Sequence, residues 1–252
     1  MNEICYPSLR GKKFLVTGAT SGIGKGISLE LLKQGSQVIG IGRNNSNIKN
    51  DLLSNSNFIF IQLDLTKLEE IEKVLIDCVD IHGKLDGVVN CAGRQETIPL
   101  TIYNYHKIKS LYDINVFAGI EILRIFSKKK ISNNNSSVIF ISSVMAELGE
   151  PGLIGYCSSK AAILGVVNSA SLELAKRKIR VNAISPGVVM TQMVENLFIK
   201  ISQDNIDSIK DMHPLGIGQV EYITPSLLFL LSNQSLWITG QNIKVDGGYS
   251  VQ

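Results

Sequence analysis

Short apolar runs alternate with stretches of helical period along the whole chain, and this alternation limits the folds open to it. "KFLVTG" (13–18), "QVIGIG" (37–42), "FIFIQL" (58–63), "LDGVVNCAG" (85–93), "SVIFISS" (137–143), "IRVNAIS" (179–185) and "QNIKVDGG" (241–248) read as strands. They are apolar on both faces, as strands covered by two layers must be. Between the first two, Ile23, Ile27, Leu31 and Leu32 share a helical face, and Gly35 supplies a stop. "TKLEEIEKVLIDCVDIHG" reads as a helix with Thr66 as N-cap and Glu69 closing a capping box. Residues 104–130 and 154–177 read as long helices, and 221–232 as another. Right-handed crossovers turn this order into a doubly wound α/β fold: a parallel sheet of about seven strands with helices on both faces. No repeat or Pro/Ser-rich linker divides residues 1–252, so one domain is expected.

Composition narrows the function classes. Lys and Arg number 25 against 22 Asp and Glu, a net charge of +3 that predicts no nucleic-acid partner. The one basic run, "KKK" at 128–130, reads as a solvated helix end. No apolar run is long enough to span a membrane, and the N-terminus lacks a signal-peptide core, so a cytoplasmic protein is expected. Cys5, Cys78, Cys91 and Cys157 lack metal-ligand spacing and read as reduced, buried thiols. His82, His106 and His213 are dispersed, so neither a metal site nor a Ser-His-Asp triad is expected.

"TGATSGIG" (17–24) joins the first strand to the first helix, with Gly18, Gly22 and Gly24 in place. Small residues there let backbone approach a pyrophosphate, and the helix start points free N–H groups at it. At the end of the second strand, where an acid would hydrogen-bond the ribose 2′-OH of NAD, the chain has Gly42 followed by Arg43. A guanidinium suits a 2′-phosphate, which favours NADP(H) over NAD(H); a solvated Arg at a strand end is the rival reading.

"YCSSK" sets Tyr156 and Lys160 one helical turn apart, on one face. A lysine ammonium and a positive nicotinamide ring both favour phenolate, so the pair is expected to bring the tyrosine pKa down toward neutrality. The same spacing recurs at Tyr103/Lys107 and Tyr105/Lys109, so spacing alone settles nothing. Only Tyr156 follows a strand-end serine, Ser143, with Ser142 on the opposite strand face and pointing away.

Five segments in order now carry a resemblance. "TGATSGIG", "NCAG" (90–93), "YCSSK", "SPGVVMT" (185–191) and "ITGQNIKVDGG" (238–248) resemble the signatures of the short-chain dehydrogenase/reductase family, in its subtype of about 250 residues. Cys91 departs from the family's N-N-A-G, and Ser21 stands where NADP-binding members carry a basic residue. The resemblance implies a catalytic set of Asn115, Ser143, Tyr156 and Lys160, with Asn115 holding a relay water; a helix-kinking role for Asn115 is the rival. It implies cofactor contacts at Gly18, Thr20, Ser21, Gly22, Ile23 and Gly24, at Arg43, Asp64 and Leu65, and at Asn90, Ala92 and Gly93. Tyr156, Lys160, Pro186, Gly187, Val189 and Thr191 complete the cofactor set; Asp64 could instead cap a helix.

The segments 94–100, 144–154 and 186–215 are expected to line the substrate pocket, the last as a lid. Arg94, Met145, Glu147 and Met190 are the expected substrate contacts. Met193, Leu197 and Phe198 either cover the substrate or pack plainly. The C-terminal signature looks most like 3-oxoacyl-carrier-protein reductases, which implies reduction of a small-molecule carbonyl. The alternatives are NAD-dependent oxidation of a polyol, sugar or hydroxysteroid, and a nucleotide-binding regulator without catalysis. Resembling proteins are dimers or tetramers built on the helices near 104–130 and 154–177, so a homo-oligomer, a homotetramer in the fuller form, is expected.

Overall fold

A computed structural model of the chain describes residues 5–44 and 50–251. Its strands are β1 (Lys13–Thr17), β2 (Gln37–Gly42), β3 (Phe58–Gln62), β4 (Leu85–Asn90), β5 (Ser132–Ile141), β6 (Arg180–Pro186) and β7 (Asn242–Val245). All pair in parallel, in the order β3-β2-β1-β4-β5-β6-β7. The order reverses between β1 and β4, where Thr17 lies opposite Asn90 at the carboxyl ends. Such a reversal opens a crevice above the sheet, the usual ligand position in doubly wound folds.

Two apolar layers hold the sheet. On one side β1 and β2 pack with α1 (Gly22–Lys33) and α9 (Val220–Leu231) through Val16, Ile27, Leu31, Ile223 and Leu227. On the other, α3 (Leu68–His82), α5 (Ala118–Phe126) and α6 (Ile154–Leu174) bury Ile71, Leu75, Ile122, Phe126 and Ile163 against Leu15, Val88 and Val138. Burial of each such side chain contributes roughly 1.5–3 kcal/mol. The short helices α2 (Asn50–Leu53), α4 (Tyr105–Tyr112), α7 (Gln192–Phe198) and α8 (Gln203–Asp211) complete the set among the described residues.

Several local expectations are corrected. Thr66 does not cap α3: its N–H and hydroxyl both donate to Asp64 Oδ1, at 3.0 and 2.8 Å, and the helix starts at Leu68 with Lys67 as N-cap. A carboxylate two residues upstream outcompetes the capping box for the same donor. The helix expected over 104–130 is three pieces: α4, a π turn (Asp113–Phe117) and α5. β5 begins at Ser132, because Ser132 pairs with Leu85 before the register shifts, with Asn135 at φ +60°. The "KKK" run lies beyond α5, and Lys128 joins Arg124 on Glu72, tying α5 to α3. Cys5 is exposed; Cys78 alone of the four is fully buried. No helix among the described residues is long and apolar enough to cross a membrane.

Candidate active site

The glycine turn is built for close backbone approach. Gly18 and Gly22 have φ of +64° and +51°, values that favour glycine. A Cβ on Gly24 would press into the Gly18 carbonyl, 2.8 Å from its carbon. Ser21 starts α1 without a side-chain cap, and the first turn holds no acidic residue. The helix's initial N–H groups and the positive end of its dipole therefore remain available to an anion. Thr17, absent from the sequence reading, ties this turn to the next: its Oγ1 accepts from Cys91 N and Ala92 N, each at 3.0 Å. A hydroxyl ending a strand at the sheet reversal is the signal that could have found it.

These segments open on a cleft of about 550 Å³. Gly18, Ser21–Gly24, Ala92, Gly93, Pro186, Gly187, Val189 and Thr191 line it. Ser143, Met145, Tyr156, Lys160 and Arg94 line the same cleft. Thr20, Arg43, Asp64, Leu65, Asn90 and Asn115 lie outside the lining. Asn90 and Asn115 line a separate small void of about 10 Å³ with Thr17 and Leu65, and the buried Nδ2 of Asn90 finds no protein partner. Among the described residues, no His, Cys, Asp or Glu cluster could hold a metal.

Two expected substrate contacts are corrected. Glu147 is outside the cleft: its carboxylate pairs with Lys244 at 2.6 Å and accepts from Asn242 at 2.8 Å, and these partners pull its pKa down. Met190 is outside too, its N–H held by the Gly218 carbonyl at 2.8 Å. Met193, Val194, Leu197, Ile201, Ile209 and Met212, from α7, α8 and their flanks, supply the apolar wall instead, while Phe198 does not line it. Arg94 lines the cleft with its guanidinium engaged, at 3.0 Å from Glu96 and 2.8 Å from Ser110 Oγ.

Around Lys160 and Asn115, hydrogen bonds tie β5, α6 and the π turn together. Lys160 Nζ donates to the Ile141 carbonyl at the end of β5, at 2.8 Å. Ser142 Oγ donates to the Lys160 carbonyl at 3.0 Å, so its hydroxyl is engaged with α6 although the residue also lines the cleft beside Ser143. Asn115 sits inside the π turn; its Oδ1 accepts from Arg94 N at 2.9 Å. Its Nδ2 donates to the Arg94 carbonyl and to Ser159 Oγ, both at 3.0 Å. The insertion turns this amide inward, a familiar use of π turns at functional sites. Ser159 is fully buried on that bond and does not touch the cleft. A Cβ on Gly93 would lie 3.1 Å from Asn115 Oδ1 and 3.5 Å from Lys160 Nζ, so glycine leaves the space between them open.

The electrostatics differ from expectation. Burial pushes the Tyr156 phenol above its ordinary pKa, and a hydrogen bond from Ser143 pulls only partly back. Lys160 does not lower it here. The ammonium is itself desolvated to about 8, and it stands 5.7 Å from the ring centre while bonded to Ile141. Burial also lifts the neighbouring Cys91 thiol to about 12, which keeps it protonated and inert.

The Lys160 shift has a sign that can be tested. A folded-state pKa near 8, below the usual lysine value of about 10.5, means the charged form is penalised by folding. That penalty is full below about pH 8 and is relieved as pH rises toward the unfolded value. Lys160→Met should therefore raise the melting temperature by about 2–4 °C at neutral pH. The gain should shrink in alkaline buffer, as differential scanning fluorimetry across pH would show.

The two repeated Tyr/Lys pairs form no such site. Tyr103 ends a short 3₁₀ turn outside α4 and packs against Gly155, while Lys107 donates to the Ile102 carbonyl. Tyr105 is 68% exposed, and Lys109 pairs with Asp113.

Residues 18–250 match the family profile described as "Enoyl-(Acyl carrier protein) reductase". The 3-oxoacyl-[acyl-carrier-protein] reductase FabG of Thermotoga maritima is 32% identical over 95% of this chain and 98% of its own. The protein of that name from Rickettsia bellii is 35% identical over 95% and 97%. A short-chain type dehydrogenase/reductase from Mycobacterium ulcerans superposes with a TM-score of 0.89 at 28% identity, over 99% of this chain and 92% of that one. ElxO with NADP bound superposes at 0.85 and 28%, over 96% and 100%. These matches mark the chain as an oxidoreductase. The chain belongs to the short-chain dehydrogenase/reductase family.

Proposed function

We propose that this chain is an NADP(H)-dependent carbonyl reductase acting on a 3-oxoacyl thioester. The observation that carries the reading is the convergence of Ser143, Tyr156 and, a helical turn further on, Lys160 in the cleft that begins at the glycine turn. Two hydroxyls side by side suit one carbonyl oxygen, and the apolar wall from α7 and α8 suits an acyl chain. The relatives named as 3-oxoacyl-carrier-protein reductases and the NADP-bound neighbour support substrate and cofactor.

The residues present fit a dinucleotide. Gly24 leaves a cradle that a Cβ would fill, and the uncapped start of α1 meets a pyrophosphate with free N–H groups. Arg43 directly follows β2, and a guanidinium there would suit a 2′-phosphate. Gly42 beside it cannot carry an acid without displacing Thr20, since a Cβ there would fall 2.9 Å from the Thr20 methyl. Reduced nicotinamide supplies the hydride.

Ser143 donates to the carbonyl oxygen and holds it in place. Tyr156 donates a second bond and gives up its proton as negative charge grows on that oxygen. Lys160 would contact the nicotinamide ribose, and its ammonium would stabilise the phenolate left behind. Asn115 holds the Arg94 backbone and Ser159, and Gly93 leaves a passage between Asn115 and Lys160 for a returning proton.

A second reading is favoured by one neighbour, the aldohexose dehydrogenase of Thermoplasma acidophilum, at TM-score 0.87 and 25% identity. Cofactor choice separates the readings. Arg43→Ala should weaken NADPH binding about 10- to 100-fold while leaving NADH within twofold, measured by fluorescence titration. Equal effects on both cofactors would remove the argument for NADP(H).

A further inference from the structure

The chain leaves the carboxyl edge of the sheet after β6, runs through α7 and α8, and returns to its starting point at His213. The base of this excursion is closed by backbone bonds. Met190 N donates to the Gly218 carbonyl at 2.8 Å, and Gly218 N donates to the Val188 carbonyl at 3.0 Å. Val188 N–H remains, and it donates to His213 Nε2 at 3.1 Å. The other ring nitrogen, Nδ1, lies 2.7 Å from the Ile209 carbonyl in the last turns of α8. The imidazole stacks on Tyr249 at 4.7 Å between ring centres, with 28° between planes, and His213 is 4% exposed.

The chemistry of the partners assigns the ring. A carbonyl only accepts, so Nδ1 carries the hydrogen; an amide N–H only donates, so Nε2 is bare. One neutral tautomer meets both needs, and no aliphatic side chain could. Val188, Ile209 and Tyr249 all line the cleft, whereas His213 does not. We infer that His213 is a positioning residue: its imidazole clasps α8 to the Pro186–Val189 loop and so sets the spacing between that loop and the apolar substrate wall. For its effect on turnover the inference rests on the carbonyl-reductase reading; the clasp itself does not.

Two variants test it, each by amide hydrogen exchange on the cofactor-free chain and by steady-state kinetics. His213→Phe keeps the ring volume and the stack on Tyr249 but leaves the Val188 N–H and the Ile209 carbonyl unpaired. Exchange at Val188 and through α7 and α8 should quicken about tenfold or more, with β5 unchanged. KM for a 3-oxoacyl thioester should rise about tenfold, with kcat altered less than threefold. His213→Gln, which retains a donor and an acceptor, should recover most of both. Wild-type exchange in His213→Phe would overturn the inference. So would a uniform loss of protection reaching β5 that His213→Gln does not restore, which marks plain packing. If the wild-type chain turned over no thioester, the functional reading would fall, and exchange at Val188 would still decide the clasp.

Discussion

Tyr156→Phe is expected to cut kcat/KM for 3-oxoacyl thioester reduction by about 10²- to 10⁴-fold, while NADPH affinity stays within about threefold. The substitution removes one hydroxyl. The ring remains under Lys160 and in the cleft wall, so cofactor seating should survive. What is lost is the proton and half of the oxygen-binding pair formed with Ser143. A donor aimed where charge develops in a water-poor site is worth far more in the transition state than in substrate binding. The deficit should therefore fall on kcat. Steady-state kinetics paired with a fluorescence titration of NADPH separate the two effects. Reduction within tenfold of wild type would remove Tyr156 from the chemistry.

Gly24→Ala should be nearly as damaging, and for the opposite reason. The added methyl meets the Gly18 carbonyl and lies 3.1 Å from the Thr17 carbonyl oxygen. Both neighbours are backbone, which cannot swing aside like a side-chain tip. The turn must shift, and with it the N–H groups at the start of α1. A displacement near 1 Å at a positioning element costs about 10²-fold. NADPH affinity should drop by about that factor. The Tyr156–Ser143 pair, on other elements, stays intact, so kcat at saturating cofactor should change little. The pair of variants thus splits the site into a binding half and a chemical half.

Much of this was legible because it depends on local pattern. β2 occupies Gln37–Gly42 as its apolar run predicts, and each of the seven strands overlaps its expected segment, with β5 starting early at Ser132. The glycine turn was legible because positive φ and close backbone approach need glycine whatever surrounds them. What escaped depends on distant partners. The π turn at Asn115 is set by Arg94 and Ser159, and no periodicity in 104–130 encodes them. Glu147 left the substrate list because Lys244 and Asn242, at the far end of the chain, fold back to take it. Met190 and Met193 are three positions apart and end in different places: the bridge between Val189 and Gly218 fixes Met190, and α7 brings Met193 to the cleft. The expected fall of the Tyr156 pKa depends on an ammonium and a nicotinamide ring together; in the chain alone desolvation dominates both Tyr156 and Lys160 and pushes the phenol up.

The central claim is that Ser143 and Tyr156 bind a ketone oxygen and that hydride from NADPH reaches its carbon. The direct measurement mixes wild-type protein with NADPH and an acetoacetyl thioester, follows loss of NADPH absorbance, and identifies the product by mass spectrometry. One 3-hydroxyacyl thioester should form per NADPH consumed, with no such turnover in Tyr156→Phe. No consumption with the 3-oxoacyl thioester, alongside turnover of an enoyl thioester or of an aldohexose with NAD, would contradict the account.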